Sequence, residues 1–206
     1  MAFERSLNQV LKAGARYALD GGFATELENM GFDLSSNLWS ARLLRDNPSA
    51  ISQVHLKFMQ HGARVVITAS YQASREGFAK QGLTNPEEVD RLLTTSVTLA
   101  QQARETWFNQ QIQQGRSEED TTLNAPLIAA SVGPYGAMLG NGAEYTGKYN
   151  IPGGKSEILK VLKDFHRPRL MALLSADPPP ELLAYETIPN LIEAQAIHDL
   201  QTEYTP

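Results

Sequence analysis

Short β-type apolar runs alternate along this chain with segments of helical periodicity, and each run ends on a polar side chain. Tyr17–Asp20 closes on Asp20-Gly21-Gly22 and reads as a strand followed by a tight turn. Val65–Ala69 is uninterrupted and starts on β-branched residues, the pattern of a strand buried on both faces. Leu127–Ser131 and Leu182–Glu186 are a third and a fourth run. Between them, Pro48 opens a helix with Ile51, Val54, His55, Phe58 and Met59 on one face and Gly62 past its end. Asn85-Pro86-Glu87-Glu88 combines an N-cap, an N1 proline and two acids at the positive end of a helix dipole, predicting a helix to about Gln114. Ser156–Leu174 is helical in pattern, with Pro168 expected to kink it or divide it, and Leu191–Leu200 is the last helix. Gly115–Asn124 reads as a polar surface loop and Val132 to about Gly154 as a Gly-rich one. Strand and helix thus alternate four times, which implies an α/β fold built on a parallel sheet.

Length restricts the architecture further. An α/β barrel takes about 250 residues, with roughly 200 as the lower limit, and this chain has 206. Asp177-Pro178-Pro179-Pro180 is a stiff connector too short for a domain linker, so residues 1–206 are expected to form one domain without an internal boundary. A net charge of −5 without a basic stripe argues against nucleic acid as the partner, because neutralising phosphates takes clustered Lys and Arg. No run approaches the roughly 20 apolar residues of a membrane span, and Met1–Gly14 has no long apolar segment, so a cytoplasmic protein is expected. Cysteine is absent, which excludes disulfides, thiolate catalysis and Cys-bound zinc within these residues.

The strand ends carry Asp20, Thr68 to Ser70, Ser131 and Glu186. In parallel α/β proteins ligands bind at the C-terminal edge of the sheet, so these residues are expected to line one mouth. Each also has a plainer reading. Asp20 before Gly-Gly can be an Asx-turn residue, Thr68 and Ser70 can cap the next helix, and Ser131 can open a turn. Glu186 is harder to explain away, because Thr187, Ile188 and Pro189 already supply the turn and the helix start. A carboxylate at the end of a buried strand is costly unless it meets a cation, a metal or several donors, and a ligand ammonium would serve. Gly21-Gly22 and Gly133-Pro134-Tyr135-Gly136 can cradle an anion or simply allow close backbone approach. His55, His61, His166 and His198 fall in helical segments without metal-binding spacing and read as packing or surface residues. The loop around Tyr145 is either a wall over the mouth or a plain solvated loop.

Several blocks in order carry a resemblance. These are Asp20-Gly21-Gly22-Phe23-Ala24-Thr25-Glu26-Leu27, Leu38-Trp39-Ser40-Ala41, Thr68-Ala69-Ser70-Tyr71-Gln72-Ala73-Ser74, Ala130-Ser131-Val132-Gly133-Pro134-Tyr135-Gly136-Ala137, Glu144-Tyr145-Thr146-Gly147 and Glu186-Thr187-Ile188-Pro189. Over about Tyr17 to His198 the chain resembles the homocysteine S-methyltransferase family, most closely members that use S-methylmethionine or S-adenosylmethionine. The resemblance implies a (β/α)8 TIM barrel in which zinc, held by three cysteines, activates the homocysteine thiol for attack on a sulfonium methyl group. It further implies that Glu186 holds the homocysteine ammonium while Asp20, Gly21, Gly22, Thr68 and Ser131 line the same pocket. Val132, Gly133, Pro134, Tyr135 and Tyr145 would shape the donor side.

The departure from the family is in the metal. In the family one zinc cysteine lies on a later strand and a Cys-Cys pair follows a Gly-Gly near the end of the barrel, and none of them is present here. The chain is therefore expected to be C-terminally truncated, to cover about the first four βα units, and to lack methyl-transfer activity alone. A rival reading is a non-catalytic amino-acid-binding or regulatory fragment that pairs with a full-length paralogue or self-associates through open sheet edges. An unrelated aldolase-like barrel fragment is disfavoured, since no strand ends in a Schiff-base lysine.

Overall fold

A computed structural model describes Val10, residues 16–34 and residues 39–204. The elements run α1 (Phe23–Asn29), a 3-10 turn (Trp39–Arg42), α2 (Leu43–Asp46), α3 (Pro48–Gln60), β1 (Val65–Ile67), α4 (Arg75–Ala79), α5 (Pro86–Gln113), α6 (Glu118–Asn124) and β2 (Leu127–Val132). They continue with α7 (Tyr135–Leu139), α8 (Ala143–Thr146), α9 (Lys155–Leu174), β3 (Leu182–Tyr185) and α10 (Leu191–Tyr204).

Capping chemistry sets the two helix starts that the sequence predicts best. The Asn47 side chain accepts a hydrogen bond from Ala50 N at the head of α3, and Asn85 accepts from Glu87 N at 3.0 Å at the head of α5. Each satisfies one of the donors that a helix start leaves without an internal partner. On α5, Val89, Leu93, Val97, Ala100, Ala103, Trp107 and Phe108 face inward. Burying the larger of these side chains contributes about 1.5–3 kcal/mol each, which is what fixes the helix on the domain.

Among the described residues three strands form a parallel sheet in the order β1-β2-β3, with Val66 opposite Ile128 and Ser131 opposite Ala184. The central strand β2 is buried along its whole length, and β3 is half-buried throughout. Val66, Ile128, Ala130 and Val132 face the helices in the main core, whereas Val65, Leu127 and Ala129 pack with Ile67, Leu182 and Ala184 on the opposite face. Side chains alternate along a strand, so Ser131 and Glu186 continue that second face at its C-terminal end. At the other end of the sheet, the buried Arg104 donates to Pro126 O and to Glu181, whose second oxygen accepts from Ile128 N at 2.9 Å.

Several expectations are corrected. The first run, Tyr17–Asp20, makes a single parallel bridge, Leu19 to Val65, instead of a strand, although Asp20 N still donates to Val65 O at 3.0 Å. Gly115–Asn124 is not all loop: Ser117 accepts from Asp120 N and starts α6, whose one buried side chain is Thr121. A helix that buries so little leaves hardly any hydrophobic period to read. The Gly-rich segment contains α7 and α8, with Gly140, Gly142 and Gly147 in the left-handed conformation at their ends. Pro168 does not end its helix, and α9 runs from Lys155 to Leu174. The carbonyl that Pro168 leaves without a donor belongs to Asp164, an exposed residue where water can replace the lost bond. Leu38 of the quoted blocks lies outside the described residues.

Candidate functional site

Four of the predicted strand-end groups meet. A cavity of about 370 Å³ at the C-terminal edge of the sheet is lined by Asp20, Gly21, Gly22, Thr68, Ser131 and Glu186, together with Phe23, Tyr71 and their neighbours. Glu186 follows β3, with its backbone N donating to Val132 O at 3.2 Å, and its carboxylate accepts a short hydrogen bond from Ser131 Oγ. The next residue, Thr187, has a φ of 53°. A β-branched residue in the left-handed region is strained.

Thr68, Ser70 and Ser131 form a closed circuit across β1 and β2. Ser131 N donates to Thr68 Oγ1 at 3.0 Å, Thr68 and Ser70 hydroxyls meet at 2.7 Å, and Ser70 Oγ donates to Ser131 O at 2.8 Å. Because Ser70 spends its proton on Ser131 O, Thr68 is the donor to Ser70. The Thr68 hydroxyl is thus committed to holding the two strand ends together, and what Thr68 adds to the cavity is wall. Neither Thr68 nor Ser70 caps the following helix; Ser74 does, accepting from Gly77 N at 3.0 Å.

Asp20 Oδ2 accepts from Ile67 N at 2.7 Å, which ties the first bridge to β1. Burial pushes the Asp20 carboxyl up to about 6, and the nearby Glu186 charge adds to that despite the lowering effect of the Ile67 bond. Two like charges therefore share one small cavity, an arrangement that a bound cation relieves.

Comparison with known proteins assigns the family. A sequence model of homocysteine S-methyltransferases matches residues 17–206. The chain belongs to the homocysteine S-methyltransferase family. It is 46% identical over 192 residues to homocysteine S-methyltransferase 3 from Zea mays, covering 93% of this chain and 53% of that relative. Homocysteine S-methyltransferase YbgG from Bacillus subtilis is 43% identical, with 96% of this chain and 58% of that relative covered. The chain thus spans about half the length of the curated relatives it matches. Among solved structures, the oxidized form of the homocysteine methyltransferase MmuM from Escherichia coli matches with a TM-score of 0.82 at 40% identity, covering 97% of this chain and 63% of that one. The metallated form of the same protein matches with a TM-score of 0.78 at 42% identity. The described sheet and helices are part of the family's TIM barrel.

The metal that the family resemblance implies does not fit the residues present. Among the described residues no group of three or more His, Cys, Asp or Glu side chains is placed to hold an ion, and the sequence contains no cysteine. Of the four histidines, His55 and His166 are fully buried while His61 and His198 are exposed. No helix among the described residues is long and apolar enough to cross a membrane.

The five residues assigned to the donor side do not line the cavity. Val132 is in the main core, and Gly133 lies beneath Tyr71, so close that a Cβ there would stand 2.5 Å from Tyr71 O. Pro134 precedes α7 as its N-cap. Tyr135 packs its ring against Tyr149 and Phe165, with centroids 5.4 and 5.1 Å away. Tyr145 is 75% exposed. The Gly-rich turns act through close backbone approach at Gly133 and Gly136, where a Cβ would meet Glu144 N at 2.4 Å.

Two charged side chains that the sequence reading passed over, Glu193 and Arg169, stand behind these loops together with His166. Glu193 is fully buried and accepts from Tyr135 N at 2.5 Å, from the Tyr149 hydroxyl and, at 2.8 Å, from His166 Nε2. Burial, then the bond to Glu193, pushes the Tyr149 phenol far up, and burial pulls the His166 imidazole down. Arg169, also buried, donates to three carbonyls: Ala73 O at 2.8 Å, Gly133 O at 2.9 Å and Tyr71 O at 2.9 Å. A signal was available, since His166 and Arg169 fall on the same face of α9 as Leu162, Phe165, Leu170 and Leu173. Polar side chains on an apolar helix face need buried partners.

Proposed function

We propose that this chain carries the homocysteine-binding part of a methyl-transfer site, with Glu186 as the residue that receives the homocysteine ammonium. In the whole family protein the reaction would move a methyl group from S-methylmethionine or S-adenosylmethionine to the homocysteine thiol, giving methionine. The observation that carries the reading is the placement of the Glu186 carboxylate on the cavity with, among the described residues, a single side-chain donor, Ser131, and with Asp20 as a like-charged neighbour. A carboxylate with several acceptor sites and one protein hydroxyl has capacity left for an ammonium. Ser131 would fix its orientation, and the strained Thr187 turn its height above the sheet. Asp20, ionised once the pH passes about 6, would add a second negative charge on the same cavity. A cytoplasmic location goes with this reading.

Because the residues present offer no thiolate ligands, no step of the transfer is assigned to them. The 206-residue chain by itself is expected to produce no methionine from homocysteine and S-methylmethionine in the presence of zinc. Methionine formed at an ordinary enzymatic rate would refute that. Loss of homocysteine binding in Glu186→Gln, with the fold intact, tests the binding role. A second reading, a non-catalytic binding or regulatory chain that pairs with a longer paralogue, is favoured by one feature. Beside β3, the end strand of the described sheet, lies an apolar groove of about 470 Å³ lined by Leu170, Leu174, Leu183 and Tyr185 among others. An unpaired strand is a template for association. Sedimentation of this chain with a longer family member would detect the complex, and two independently sedimenting species would exclude it.

A further inference from the structure

We infer that Arg169, which does not line the cavity, is a positioning residue that sets Tyr71 against Glu186. The guanidinium enters from α9 and bonds the backbone on both sides of the mouth, at Tyr71 and Ala73 after β1 and at Gly133 after β2. Its Cζ lies over the Phe165 ring, 4.9 Å from the centroid, a cation–π contact that adds to the hold on the group. Three carbonyls from two connections thus converge on one rigid group. A planar fork satisfies them together, which a single ammonium on a flexible stem does not.

Tyr71 is the residue that this clamp delivers to the site. Its carbonyl is held by Arg169, and its ring rests on Gly133, where a Cβ would stand 2.8 Å from the ring atoms. The ring lines the same cavity as Glu186. Moving the Tyr71 backbone therefore moves the wall of the cavity that Glu186 also lines. Glu193 braces the neighbouring α7 from α10 through Tyr135 N.

For its ligand the inference rests on the proposed homocysteine site. The experiment measures homocysteine affinity by calorimetry in the wild-type chain, in Arg169→Lys, in Tyr71→Ala and in the double variant. Arg169→Lys should weaken binding by about 10-fold in the wild-type background and by less than about 2-fold once Tyr71 is alanine, because the effect passes through that residue. Equal losses in both backgrounds would mark a merely structural role and overturn the inference, as would no loss at all. Failure of the wild type to bind homocysteine would sink the proposed function, and the positioning role is then read from ring-labelled tyrosine NMR, with the Tyr71 signal assigned by its loss in Tyr71→Phe. A displaced or broadened Tyr71 signal in Arg169→Lys, with the Tyr17 signal in place, supports the inference; an unchanged one overturns it. Should Arg169→Lys not fold, Gly133→Ala pushes on Tyr71 from the other side. It should produce the same signal change and about 10-fold weaker binding, and a displaced Tyr71 with full affinity would contradict the account.

Discussion

Two glutamates close together in the chain occupy opposite kinds of environment. Glu193 is sealed between α9, α10 and the loops, with a backbone N–H, a phenol and an imidazole as donors and a buried guanidinium nearby. Glu186 is half-buried beside a cavity, with one side-chain hydroxyl as donor and a like-charged neighbour in place of a cation. Glu181, at the far end of the sheet, is of the first kind, bonded to Arg104 and to Ile128 N. A buried charge whose partners all come from the protein holds the fold together, while one that the protein underserves at a cavity is available to a ligand. Glu186 differs in that respect from both Glu181 and Glu193.

The largest effect expected from this contrast is on stability. Glu193→Ala strands His166 and the Tyr149 hydroxyl in the interior, and losing one member of such a buried network costs about 3–5 kcal/mol. Urea unfolding measures it, and a loss below about 1 kcal/mol would put Glu193 in the same class as Glu186.

The next effect is a pH dependence that belongs to the cavity. Burial pushes the Asp20 carboxyl up to about 6 in the folded chain from its ordinary 3.8, so the folded state holds the proton more tightly. Its contribution is fully present below about pH 4 and is lost as pH rises through about 6, leaving the chain up to about 3 kcal/mol less stable at neutral pH. His55 acts in the opposite sense, because burial pulls its imidazole down to about 3 and protonation from about pH 6.5 downward favours unfolding. Taking the difference between wild type and Asp20→Asn cancels the histidines. The variant should gain on the wild type between pH 4 and pH 7, and a pH-independent difference would break the assignment of charge strain to the cavity.

Smaller still is His55 itself. It is buried against Phe23, with ring centroids 4.8 Å apart and no hydrogen-bond partner on either ring nitrogen among the described residues. His166, by contrast, has Glu193. His55→Leu should raise stability by about 1 kcal/mol, since it removes an unsatisfied buried group, and a loss of that size would show a partner that the geometry does not. The smallest change is expected in Glu186→Gln, within about 0.5 kcal/mol, because Ser131 keeps an acceptor and Asp20 loses a like charge.

The strand ends were legible because β-branched apolar runs and the polar residue after each survive as a local pattern, and Asp20, Ser131 and Glu186 do converge. What those groups do on arrival was less legible. Thr68 turned out to bond Ser131 N, a partner 63 positions away. Arg169 reaches Tyr71 across 98 positions, and no local period announces such a contact. Motif order carries no direction for a side chain, so it did not foretell that the Tyr135 ring packs against Phe165 while Tyr145 faces solvent. In α6 the Ser117 cap was readable, but its polar run masked it.

The claim at the centre is that the cavity at Glu186 receives the amino group of homocysteine. Calorimetric titration of the 206-residue chain with homocysteine at neutral pH, beside Glu186→Gln matched for thermal stability, tests it directly. Saturable binding in the wild type, weakened at least about 100-fold in the variant, is the expected result, since a charge-assisted pair is lost from a partly enclosed site. Equal affinity in the two chains, or no binding in either, would contradict it.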